Sequence, residues 1–137
     1  MRLIKFTILC IGALSVSTFM TTTTYASNGQ GTYNAICSAC HATGVANAPK
    51  FGDQKAWAAR IAEGQSVLTA HAYVGLGAMP PKGGRPDLSL EDFAAAVALM
   101  ATEAGAKWKN PDAKQIKEIR MEIAKREKEL KLKQKIK

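Results

Sequence analysis

Cys37-Ser38-Ala39-Cys40-His41 is the stretch that decides how this chain is read. The C-x-x-C-H spacing places two thiols one helical turn apart, with an imidazole directly after the second. Each thiol can form a thioether with a haem vinyl group, and the adjacent histidine then reaches the iron from the same side. Three other chemistries use paired cysteines. A thioredoxin-like motif needs a βαβ surround, and no segment of this chain reads as a strand. A zinc site needs more ligands than remain: beyond Cys10 there are two cysteines and two histidines, with His71 lying 30 residues past His41. A disulfide between residues three apart is strained and leaves His41 without a purpose. One covalently attached haem c is therefore expected, and the single motif excludes the multihaem classes.

Composition agrees. Aromatic residues make up 7% of the 137 residues, so side chains alone give a small centre, and a haem supplies the rest of the core. Around the motif, punctuation marks out helices. The first is expected from near Asn28 to Cys40, with Tyr33, Ile36, Cys37 and Cys40 on one stripe. Asp53 caps a second, carrying Trp57 and Ile61 and stopped by Gly64. Ser66 is expected to cap a third, with Val67, His71 and Val74 on one side and Gly75 as its stop. Ser89 and Asp92 resemble a capping box opening a fourth, with Phe93, Val97 and Met100 inward and Gly105 as its end. Long irregular connections are left at 41–52 and 75–88. The fold class is all-α.

An iron held by His41 needs a second axial partner if it is to move electrons rather than bind small molecules. Met100 shares the Phe93/Val97 stripe and reads as a core residue, and Met121 lies in a charged tail. Met79 stands in Gly75-Leu76-Gly77-Ala78-Met79-Pro80-Pro81, a turn that offers a methionine no other apolar task. Met79 is the expected ligand and His71 its rival.

Residues 37–53 (CSACHATGVANAPKFGD), Trp57 and Arg60, Ala78-Met79-Pro80-Pro81-Lys82-Gly83-Gly84 and Asp87-Leu88-Ser89 resemble the bacterial cytochrome c5 group of class I c-type cytochromes. The resemblance covers about residues 30–104 and is far more specific than C-x-x-C-H alone. It implies the small helical class I cytochrome c fold around one haem, a periplasmic electron-shuttle role, and His41 and Met79 as the axial pair. It also implies that the Pro49 carbonyl accepts from His41 Nδ1 and so orients the ring. Two features depart from the group. An extra cysteine pair that some members carry near the methionine loop is missing, and the extension after Gly105 is outside the pattern.

The termini differ from the middle. Arg2 and Lys5 precede an apolar, uncharged run from Phe6 to Met20, and Thr24 and Ala26 fit a signal-peptidase site. Residues 1–26 are expected to be removed on export to the periplasm, the alternative being an uncleaved anchor; Cys10 leaves with them. The formal net charge of +8 is unevenly spread. Residues 27–106, the expected monohaem domain, carry five positive and six negative side chains, whereas 107–137 carry twelve and five. With no basic face on the domain and no nucleic-acid motif, no nucleic-acid partner is expected.

The basic extension reads as a helix. Asn110-Pro111-Asp112 is expected to supply its cap, first turn and acidic start, and Glu122/Arg126, Glu127/Lys131 and Glu129/Lys133 are i,i+4 pairs. Its apolar stripe of Ile116, Ile119, Ile123 and Leu130 is thin, so a solvated helix is expected over a docking arm for an acidic partner or an anionic membrane surface.

The functional expectation is an exported one-electron carrier between a redox donor and acceptor, not an enzyme. The alternatives are a haem-based sensor or enzyme with an opening sixth position, and the electron-entry subunit of a larger oxidoreductase.

Overall fold

The computed structural model describes residues 28–136; the export signal expected over 1–26 lies outside them. Asn28 Oδ1 accepts from Gly31 N at 2.8 Å and opens α1 (Gly29–Thr32). The same helical segment widens into a π turn over Tyr33–Cys37 and tightens again as α2 (Ser38–His41). The sequence suggests one regular helix here. The difference is one extra residue per turn, closed by Ser38 N donating to Tyr33 O.

Asp53 accepts from Ala56 N at 3.0 Å and starts α3 (Gln54–Ala62), which buries Trp57. The next helix, α4 (Gln65–Val74), differs from expectation in two ways. Gly64, not Ser66, is its cap, and Ser66 Oγ bonds Gln115 and Glu118 of the C-terminal helix. Its buried face is Leu68, Thr69, Ala70 and Ala72, while Val67, His71 and Val74 are only half-buried. The cause is that α4 is covered on two sides, by the main core and by the C-terminal helix.

Ser89 caps α5 (Leu90–Glu103): its Oγ accepts from Asp92 N at 3.1 Å, and Phe93, Val97 and Met100 point inward. α1 crosses α5 at Gly29, where a Cβ would sit 2.6 Å from Ala95 O. Only glycine permits that approach. Tyr33, Cys37, Trp57, Leu68, Phe93, Val97 and Met100 form the main core. Among the described residues there is no strand, only a single bridge between Leu76 and Met79, and the fold is the small all-α one expected.

The extension forms α6 (Ala113–Lys135), capped by Asp112 accepting from Gln115 N at 2.8 Å rather than by Asn110. It is not a solvated helix along its whole length. Ile116 and Ile119 are buried with Leu90 and Ala94, and Tyr73 and Ile123 pack against them. Gln65 Nε2 donates to Lys109 O, Gln115 bonds Ser66, and Arg120 pairs with Glu91 at 2.8 Å. Start meets start, so α6 runs parallel to α4, and at 23 residues against ten it continues past α4's end. The ion pairs along it are Lys125–Glu122 and Arg126–Glu129, both i,i+3, in place of the expected i,i+4 set. Among the described residues no helix is long and apolar enough to cross a membrane.

Candidate functional site

His41 closes α2 and is buried. Its Nδ1 lies 2.8 Å from Pro49 O. A carbonyl only accepts, so Nδ1 carries the proton and Nε2 keeps its lone pair for a metal. The segment that brings Pro49 back is tied at several points. Gly44 N donates to Cys40 O at 2.9 Å, and Phe51 N donates to His41 O at 2.7 Å. Trp57 Nε1 donates to Lys50 O at 2.8 Å, and its ring centroid is 5.9 Å from that of His41. Tyr33 and Phe51 meet with centroids 4.4 Å apart, fastening the loop to the first helical segment. The Lys50 acceptor escapes sequence reading because a backbone carbonyl leaves no residue signature.

Cys37 and Cys40 are free thiols with different surroundings: Cys37 faces the core and Cys40 faces solvent. Burial pushes the Cys37 thiol up to about 11. It stays protonated near neutrality, unlike the thiolate of a redox nucleophile or a zinc ligand. Among the described residues no three His, Cys, Asp or Glu side chains converge as a metal-ion site.

Met79 arrives from a separate element. Gly75 ends α4 at φ 101°, and Leu76 and Met79 exchange backbone hydrogen bonds of 3.0 and 3.1 Å. A Cβ at Gly75 would lie 3.1 Å from Pro81 Cδ and 3.3 Å from Met79 O, so the reversal closes tightly. Met79 is half-buried and packs against the cluster that contains Cys37, Trp57 and Met100. The rival positions have other roles. His71 Nδ1 is 2.7 Å from a Glu63 carboxylate oxygen, tying the end of α3 to α4. Met100 is 2% exposed in the core, and Met121 is exposed on α6. An imidazole with a free Nε2, one thiol in the apolar cluster, a second at the surface three residues on, and a thioether packed on that cluster make a donor set that fits a haem.

The chain is similar to proteins named as cytochromes. Residues 25–100, more than half of the chain, match the family model described as cytochrome c oxidase, cbb3-type, subunit III. Cytochrome c-555 of Chlorobaculum thiosulfatiphilum is 43% identical over 83 residues, covering 58% of this chain and 96% of that protein. Cytochrome c5 of Azotobacter vinelandii is 42% identical over 78 residues, covering 56% and 94%. One chain of a crystal structure of the electron transfer complex of nitrite reductase with cytochrome c is 47% identical. It superposes with a TM-score of 0.53 over 56% of this chain and 93% of that one.

Proposed function

Because the chain belongs to the class I c-type cytochromes and so carries covalent haem c as an electron-transfer protein rather than an enzyme, we propose that it is an exported monohaem carrier with His41 and Met79 as axial ligands. Residues 1–26 are the export signal, 27–106 the electron-carrying domain and 107–137 a basic helical extension. The product works in the periplasm. Its partners are a redox donor and a redox acceptor, by likeness to the relative in complex with nitrite reductase.

The observation that carries the reading is the fixed imidazole: His41 Nδ1 is committed to Pro49 O at 2.8 Å, which leaves Nε2 for iron. Bound haem c supplies a one-electron Fe(III)/Fe(II) couple. The chain does the rest. Cys37 and Cys40 would hold the group through thioethers, one from the core side and one from the solvent side. Met79 enters from a reversal locked at both of its backbone hydrogen-bonding groups. Trp57, Leu68, Phe93 and Val97 exclude water from the same centre. No side chain of the chain is assigned acid–base or nucleophilic work.

The test is spectroscopic. The oxidised protein should show the weak near-infrared methionine-to-iron band, and Met79→Ala should abolish it while Met100→Leu keeps it. A band that survives Met79→Ala would move the ligand elsewhere. Carbon monoxide should bind the reduced protein slowly; rapid binding at neutral pH would favour a sensor.

A further inference from the structure

Helix α6 gathers most of its lysines on one side of its axis, with Arg120, Arg126 and Lys133 elsewhere. At about 100° per residue, Lys114, Lys117, Lys125, Lys128, Lys131 and Lys135 fall in one sector of about 120°. Met121 and Leu132 lie between them, and Glu118, Glu122, Glu127 and Glu129 all fall outside it. Every one of these lysines is exposed, and Met121 and Leu132 are 58% and 51% exposed. Ile136, just beyond the helix, is 85% exposed. The opposite side of α6 holds Ile116, Ile119 and Ile123 against the domain. The basic sector therefore points away from the body of the protein, and packing fixes its orientation.

We propose that this sector is a docking surface for an anionic phospholipid membrane. Three observations favour a bilayer over an acidic protein. The lysines form a straight row about 32 Å long at 1.5 Å per residue, matched to a flat, evenly charged surface. Exposed apolar side chains stand among them, which a headgroup layer accepts while the lysine stems reach along it. The row also belongs to a different element from the one that carries the attachment cysteines. α6 packs on α4 and α5, while the thiol pair sits on the Tyr33–Cys37 turn and α2, so a redox partner seated on the row would face α6 instead of the haem attachment. Docked through α6, the protein would keep its thiol-bearing face free for partners. The inference deepens the electron-carrier reading by giving the carrier a surface to move along.

The test is sedimentation of the full-length mature holoprotein with vesicles, followed by haem absorbance. Phosphatidylglycerol/phosphatidylcholine vesicles should bind it and pure phosphatidylcholine should not, with binding falling as salt is raised. Lys117→Gln/Lys125→Gln/Lys128→Gln/Lys131→Gln should weaken binding at least about tenfold. A control with the same charge loss off the row, Lys55→Gln/Lys107→Gln/Lys109→Gln/Lys133→Gln, should lose far less. Unchanged circular dichroism would certify both variants as folded. Equal loss in the two variants would reduce the effect to net charge and overturn the proposal, as would equal binding to neutral vesicles. Lysines that ignore vesicles but set the electron-transfer rate with an acidic protein would overturn it in favour of a protein partner. The readout needs no redox activity, so its failure is distinct from failure of the Met79 assignment.

Discussion

Helices α5 and α6 meet in the second core cluster, yet they are helical for different reasons. α5 buries nine of its 14 residues, whereas α6 buries two of 23. The first is held by the core it forms with Tyr33, Trp57 and Leu68. The second has a short isoleucine seam, an aspartate cap, contacts to Ser66 and Glu91, and a lysine- and glutamate-rich composition that favours helix without burial. Packing decides whether a helix belongs to the cooperative unit; propensity can only prolong it. Amide exchange should be uniformly slow through α5 and graded along α6, slowest near Ile119 and fastest towards Lys135.

Mutations can break or sharpen that contrast. Phe93→Ala, in the centre of the core, should cost about 3–5 kcal/mol in denaturant unfolding of the holoprotein. Ile119→Ala should cost about 2–4 kcal/mol and release α6, which circular dichroism would register as lost helix. A cost near zero would mean that α6 merely rests on the domain. Asp112→Ala, which removes the α6 cap, should cost about 1 kcal/mol. Leu132→Ala, beyond the seam, should change stability by less than about 0.5 kcal/mol. The smallest effect belongs to the surface. Arg85 beside Asp87 holds that carboxyl below its ordinary 3.8. Its contribution is present above that pH and fades as pH falls through the lower folded value. Both side chains are exposed, so Asp87→Asn should alter the acid limb of an unfolding profile only slightly.

The same contrast explains what could be read from the sequence. Caps at Asp53 and Ser89 and the Phe93/Val97/Met100 stripe are local patterns, and the helices they mark are where the residues suggest. The proximity of His41 and Pro49 came from resemblance, because no spacing rule links residues eight apart through a backbone carbonyl. The face of α4 is not legible locally, since its burial depends on α6, which arrives some 50 residues later. Serine is favoured at helix caps, but the Ser66 hydroxyl is claimed by Gln115 and Glu118. The docking of α6 was hidden by its composition. Three isoleucines suffice for the seam, and Arg126, which lies between Ile123 and Leu130, pairs with Glu129.

The π turn at Tyr33–Cys37 has a consequence for how this segment tolerates change in length. Removing one residue there would let the segment close as ordinary α-helix and turn everything before it by about 100° relative to Cys37. Gly29 would rotate off Ala95 O, and Asn28 N would lose the Asp92 carboxylate it now meets at 3.2 Å. The widened turn therefore sets the phase between two alignments made by one stretch of chain, the helix crossing before it and the thiol pair after it. Substitutions that keep the length can adjust either alignment alone, whereas a single deletion would put both out of step.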